Sequence, residues 1–152
     1  MNSEKLDADI RILTEEHLAS VAEIEALSFS EPWSKDSLSL LCKENNFGVV
    51  ATVDGRVVAY GGMTVVLDEG SVTNIATHPS YRGMGLGRSV VKKMLSVARE
   101  RAVTKVYLEV RYSNSVAISL YTSEGFSSCG IRKNFYKRPV EDAILMVRDI
   151  TN

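Results

Sequence analysis

Between Val72 and Val110 an apolar strand runs into a glycine-studded loop, then an amphipathic helix, then a second strand that carries Glu109. The loop is Arg82-Gly83-Met84-Gly85-Leu86-Gly87-Arg88, with three glycines in five positions. Bare backbone at those positions leaves N–H groups open to close approach by an anion. A helix beginning at such a loop adds its own unpaired N–H groups and the positive end of its dipole, so the segment is built to hold phosphate.

Two other phosphate loops fail on geometry. A dinucleotide-binding fingerprint needs a third glycine where Arg88 stands and a turn directly after the strand, but His78-Pro79-Ser80-Tyr81 intervenes. Glu109, some twenty residues on, mimics the ribose-binding acid of that motif without completing it. A nucleotide P-loop would require Gly-Lys-Ser/Thr, which is absent. The bland alternative is a glycine turn that only lets strand and helix pack closely.

The rest of the chain predicts a mixed α/β (α+β) domain spanning residues 1–152, a length at which one core suffices. Thr14 can cap a first helix that uses Leu18, Val21, Ile24 and Leu27, with glutamates on its remaining faces, and ends near Phe29. Glu31-Pro32-Trp33-Ser34 breaks the pattern, and Ser34 can start a second helix with Leu38, Leu41 and Cys42 inward. Phe47 to Val53 and Arg56 to Val66 are β-rich and joined by the hairpin dipeptide Asp54-Gly55. Asp68-Glu69-Gly70 predicts a further turn into Val72 to Thr77.

After the glycine loop, Val90, Val91, Met94, Leu95 and Ala98 form one apolar stripe, opposed by Lys92, Lys93, Arg99 and Glu100. Lys105 to Arg111 alternates, so Val106, Leu108 and Val110 share one face while Tyr107, Glu109 and Arg111 share the other. A helix from about Asn114 to Glu124 stops at Gly125, and Phe126 to Lys133 and Asp142 to Arg148 close the chain as strands.

Lys plus Arg (18) nearly balances Asp plus Glu (19), so no global field draws the chain to nucleic acid or to an anionic membrane. Cys42 and Cys129 lie in no paired or metal-spaced motif, which points to idle reduced thiols. The start, Met1 to Ile10, is polar, and no apolar run reaches membrane-spanning length. The expectation is a cytoplasmic, unprocessed protein without a metal.

Taken together, these residues resemble the GNAT superfamily of N-acetyltransferases. Its acetyl-CoA signature is Arg or Gln, any two residues, Gly, any residue, Gly or Ala, and Arg82, Gly85 and Gly87 fill it. Further matches are Asn74-Ile75-Ala76-Thr77, Leu108-Glu109-Val110-Arg111, Ser113-Asn114, Leu120-Tyr121, Gly125-Phe126, Glu141-Asp142-Ala143 and Glu31-Pro32-Trp33-Ser34. In order and spacing they resemble the RimI family of bacterial ribosomal-protein alanine N-acetyltransferases, from about Ile10 to Val147. Departures are Thr77, Gly83, Phe135 and Thr122-Ser123-Glu124. None removes a group that the resemblance makes catalytic, but Phe135 lacks the hydroxyl that the usual tyrosine would offer a substrate peptide.

The resemblance implies a GNAT fold, a mostly antiparallel sheet with a central splayed parallel pair, flanked by helices. It implies acetyl-CoA as co-substrate, its acetyl and pantetheine arm on the backbone of Ile75, Ala76 and Thr77. Its pyrophosphate would lie on Gly83, Met84, Gly85, Leu86, Gly87 and Arg88, with Asn114 as a further contact. Gly83 and Arg88 together would leave one basic side chain for phosphate. Glu109 would be the proton acceptor and Tyr121 the proton donor. Amide formation from an ammonium and a thioester needs one of each.

The implied partner is a protein N terminus, that of a small-subunit ribosomal protein, acetylated by a monomer that binds no nucleic acid or membrane. Phe29, Trp33, Asn134, Tyr136 and Glu141 are candidates to line the peptide site or simply to close the structure. On residue type alone, an outward strand glutamate is ordinarily solvated and an inward helical tyrosine is ordinarily core. His17 and His78 have no companion ligand and read as surface residues. Two rivals stay open: a related acetyltransferase of small amines, antibiotics or lysine side chains, and an acetyl-CoA sensor without turnover. Retention of both Glu109 and Tyr121 speaks against the sensor.

Overall fold

The computed structural model describes residues 7–151. The polar start of the chain, read as free of a leader, lies partly outside them. Seven strands form one sheet in the order β1-β2-β3-β4-β5-β7-β6. They are β1 (Asp9–Ile12), β2 (Phe47–Val53), β3 (Arg56–Val66), β4 (Glu69–Thr77), β5 (Lys105–Arg111), β6 (Ser127–Lys137) and β7 (Val140–Asp149). Helices α1 (Leu18–Ser28) and α2 (Lys35–Leu38, continued as a 3-10 turn) lie between β1 and β2, α3 (Leu86–Glu100) between β4 and β5, and α4 (Ser115–Ser123) between β5 and β6.

The β2–β3 hairpin turns as its sequence requires, with Asp54 at φ 51° and Gly55 at φ 79°, two left-handed positions that match strand twist. The next turn falls one residue earlier than expected. Leu67 takes φ 56° and Val66 pairs with Glu69, so Gly70 is already within β4. β1 was not foreseen: its four residues pair antiparallel with β2 at the sheet edge. β6 and β7 also run further than expected, meeting at Arg138-Pro139 after an irregularity between Arg132 and Tyr136.

The two faces of the sheet have separate cores. On one, the α3 stripe of Val90, Val91, Met94, Leu95 and Ala98 buries against Val106, Leu108 and Val110 of β5, with Tyr121 and Phe126. Each fully buried side chain of this kind contributes about 1.5–3 kcal/mol. On the other, Leu18, Val21 and Ile24 of α1 and Leu38 of α2 pack on Val50, Tyr60 and Ala76.

In α1 the expected assignment fails at two residues. Leu27 is 54% exposed, whereas Glu25 is 0% exposed. Strict spacing by three drifts around a helix of 3.6 residues per turn, so Leu27 lies about 180° from Leu18 while Glu25 lies within about 20° of it.

β4 and β5 form the single parallel pair of the sheet, and their ladder covers only Glu69–Lys105, Gly70–Val106 and Ser71–Tyr107. Beyond it Thr73 and Asn74 together oppose Gly62, a bulge that bends β4 away from β5. A side chain at Gly62 would meet Leu41 Cδ1 and Thr73 Oγ1 at 2.6 and 2.5 Å, so glycine permits the close crossing. The central pair is therefore splayed, opening a gap between Val72–Thr77 and Leu108–Arg111.

Candidate active site

The gap presents backbone. His78 N–H bonds to Val58 O at 2.8 Å, and strand alternation then turns the N–H groups of Thr77 and Ile75 to the other edge, toward the gap. Below it, Gly83 (φ 79°) and Gly85 (φ 81°) form a left-handed loop, and Gly85 is the N-cap of α3. The first main-chain bond of α3 is Ser89 N–H to Gly85 O, at 3.2 Å. The amides of Leu86, Gly87 and Arg88 thus precede any intrahelical partner and stand at the positive helix end, an arrangement suited to a pyrophosphate.

The two signature glycines are needed for different reasons. Gly85 requires its positive φ, whereas Gly87 is helical and a methyl there would only touch Leu120 Cδ2 at 3.5 Å. Gly87→Ala is accordingly expected to keep acetyl-CoA affinity within about threefold. Gly85→Ala should weaken it about tenfold, the effect of forcing an L residue into the left-handed region at roughly 1–2 kcal/mol. Calorimetric titration of both variants checks this, and equal affinities would contradict it.

The basic side chains of the loop are engaged within the fold. Arg82 Nε donates to Thr77 O at 3.1 Å and its guanidinium reaches Ser28 Oγ at 3.4 Å. Arg88 was expected to remain for phosphate, but its Nη1 bonds Ser123 Oγ at 2.7 Å and Glu124 Oε2 at 2.6 Å. Lys92 adds a 3.2 Å pair to Glu124. Burial alone would raise the Glu124 pKa, but the bonds from Arg88 and Lys92 outweigh it and hold the carboxyl below its usual value. Asn114 caps α4, its Oδ1 accepting from Ala117 N at 3.1 Å, which leaves its amide nitrogen to donate elsewhere.

Glu109 projects from β5 on the face opposite α3, half-buried, with Oε2 3.1 Å from Arg132 Nε. Arg132, a residue not singled out from sequence, thus orients one carboxylate oxygen. Tyr121 lies on the α3 side, 9% exposed, its ring edge-on to Phe126 with centroids 5.9 Å apart. Burial, with a contribution from Tyr136, pushes its pKa up to about 12. The Tyr136 pKa is likewise pushed up to about 12, by burial first and then by Glu109. Tyr136 thus feels the charge of Glu109 and itself acts on Tyr121.

The remaining candidates build the wall beside Glu109. Arg111 stacks on the Tyr136 ring at 4.3 Å, donates to Glu141 Oε1 at 3.1 Å and to Pro139 O at 3.0 Å, and reaches Arg138 O. Ser113 N–H donates to the other Glu141 oxygen at 2.7 Å. Ser113 and Arg111 together hold the Glu141 carboxyl below its usual pKa. Both its oxygens are thus used inside the fold.

Asn134 is exposed at φ 53°, its N–H bonded to Asp142 Oδ1 at 2.8 Å. Across the groove Ser30 Oγ donates to Arg138 O at 2.6 Å, linking the α1–α2 loop to the β6–β7 hairpin. Phe29 and Trp33 sit in that loop, half-buried against the α1 core. The histidines serve as local caps: Nδ1 of His17 accepts from Thr14 N–H and Nδ1 of His78 from Ser80 N–H, at 2.9 and 3.1 Å. Neither is merely surface.

A splayed parallel pair beside a glycine-loop helix, in a mixed sheet flanked by helices, is the frame of an acyltransferase. Residues 18–126 match the profile of the acetyltransferase (GNAT) family, and the chain belongs to that family. It is 39% identical over 144 residues to a Bacillus subtilis (strain 168) protein provisionally named a [ribosomal protein bS18]-alanine N-acetyltransferase, covering 93% of this chain and 95% of that one. It is 36% identical over 136 residues to the Escherichia coli (strain K12) [ribosomal protein bS18]-alanine N-acetyltransferase, covering 88% and 92%. The crystal structure of the ribosomal-protein-S18-alanine N-acetyltransferase from Escherichia coli superposes with a TM-score of 0.89, at 35% identity and 95% coverage of each chain.

Proposed function

We propose that this protein, as a single domain, transfers the acetyl group of acetyl-CoA to the α-amino group of a protein, the alanine terminus of ribosomal protein bS18. The observation that carries it is the splayed β4–β5 gap beside the unpaired amides at the start of α3, with Glu109 on the strand that borders the gap. Likeness to the two bS18-alanine acetyltransferases over most of the chain supplies the substrate.

The residues present fit acetyl-CoA: the glycine loop and the amides of Leu86 to Arg88 suit its pyrophosphate, and the edge of Ile75 to Thr77 suits its amide-bearing arm. The thioester supplies an activated acyl group. Ile75 and Thr77 N–H groups face the negative charge that develops on the carbonyl oxygen. Glu109 takes a proton from the attacking amine, directly or through water, and Tyr121 donates to the leaving sulfur. Transfer is direct, in a ternary complex.

An α-amine of pKa ~7.8 is roughly 10–20% neutral at pH 7, against well under ~0.1% for a lysine of pKa ~10.4. A half-exposed carboxylate is adequate for the first. The enzyme would act in the cytoplasm as a monomer without a metal or nucleic acid. Among the described residues no helix is long and apolar enough to cross a membrane. Thiol release from acetyl-CoA is expected with an alanine-starting bS18 peptide and not with the same peptide formylated at its N terminus but retaining its lysines. Equal rates with the two would contradict α-amine transfer.

A further inference from the structure

Glu25 is the one carboxylate in the described chain that is fully buried, and the mechanism above does not use it. It lies on the inward face of α1, where Tyr60 Oη donates to Oε1. Asn74 Nδ2 donates to Oε2 at 2.8 Å, and the Trp33 backbone N–H donates to the same oxygen at 2.9 Å. These partners come from three different elements. Tyr60 is in β3, Asn74 is in the bulge that splays β4 just before Ile75, and Trp33 is in the α1–α2 loop opposite the β6–β7 hairpin. Burial raises the Glu25 pKa, while the bonds from Trp33 and Asn74 oppose that rise. The Trp33 N–H has no alternative but to donate, so a carboxylate oxygen is the group that suits it.

We propose that Glu25 is a positioning residue that ties the α1–α2 loop to the splayed strand, so that the acceptor's amino terminus is presented at the β4–β5 gap. This rests on the acetyl transfer to an α-amine proposed above. β4 is also fixed by its ladder with β3, whereas the loop is otherwise held by the packing of Phe29 and Trp33, the Ser34 cap of α2 and the Ser30–Arg138 bond. Loss of the Glu25 contacts should therefore loosen the loop more than the donor strand.

Leucine at position 25 roughly keeps the volume but removes both acceptor oxygens, whereas glutamine keeps one for Trp33 N–H and Asn74 and can donate to Tyr60 Oη. Glu25→Leu is expected to raise KM for an alanine-starting peptide about tenfold, with kcat and acetyl-CoA affinity within about threefold of wild type, and Glu25→Gln to stay near wild type. Asn74→Ala, which keeps the carboxylate but removes one donor, should move KM in the same direction by less. Trp33 is the only tryptophan of the chain, so its fluorescence reads the loop without any turnover. Acrylamide quenching should rise about twofold in Glu25→Leu at temperatures where the protein is folded.

Val21→Ala, a core truncation on the same helix that leaves the carboxylate in place, is the control for mere loss of stability. Quenching and peptide KM that change equally in Val21→Ala and Glu25→Leu, or in neither, would overturn the proposal. If the wild type acetylates no α-amine, the function above fails, and Trp33 quenching alone still decides whether Glu25 holds the loop.

Discussion

Glu109→Gln is expected to lower turnover on an alanine-starting peptide about 10²-fold at pH 7, the lower range for loss of a general base. The glutamine can still accept from Arg132 Nε, which lies 3.1 Å from the native carboxylate. Geometry is thus preserved and basicity alone is lost. Acetyl-CoA affinity should stay within about threefold, because the loop and strand that suit it offer backbone groups to which that side chain does not contribute. Raising the pH to 9 neutralises nearly all of an α-amine of pKa ~7.8, a gain of less than about tenfold over pH 7. Most of the deficit should persist there if Glu109 acts during the attack itself. Steady-state kinetics at both pH values checks this, and unchanged turnover at pH 7 would remove Glu109 from the chemistry.

Tyr121→Phe is expected to slow the chemical step by about 10² as well. The ring keeps its edge-on packing with Phe126 and only the hydroxyl disappears, so folding should be little affected. With its pKa pushed up to about 12, chiefly by burial, the phenol retains its proton throughout the working range. A raised pKa moves the loss of the donor to higher pH. The wild-type rate should therefore show no alkaline decline due to Tyr121 below about pH 11, against about 10 for an ordinary tyrosine. Single-turnover measurements across pH test both statements. A full rate in Tyr121→Phe, or a decline near pH 10 that the variant lacks, would contradict them.

What could be read from sequence follows from how local its determinants are. β2, β3 and β5 begin and end where expected because β-rich runs are punctuated by Asp54-Gly55 and by plain alternation from Lys105 to Arg111. The α3 stripe was legible for the same reason. Where tertiary context decides, the pattern misleads. Leu67 adopts a left-handed φ that nothing about leucine signals, and β1 is four residues held by pairing with β2. Glu25 looked like part of a solvated face because its three donors come from residues 8, 35 and 49 positions away.

The glycine loop, Glu109 and Tyr121 were identified through the family pattern, and the structure puts Glu109 and Tyr121 on opposite faces of the sheet. The pairing of Arg88 with Glu124 was not accessible: the two residues are thirty-six positions apart, with all of β5 and α4 between them, and only the packing of α4 beside α3 brings the two charges together. Arg132 escaped notice for a similar reason, since β6 reaches β5 only across β7.

The most direct test is to incubate the purified protein with acetyl-CoA and intact, unacetylated bS18, then locate the acetyl group by fragment mass spectrometry. Acetyl on the α-nitrogen of the N-terminal alanine, abolished in Glu109→Gln over the same interval, is the predicted result. Acetyl confined to lysine side chains, or α-acetylation that proceeds equally in the variant, would contradict the account.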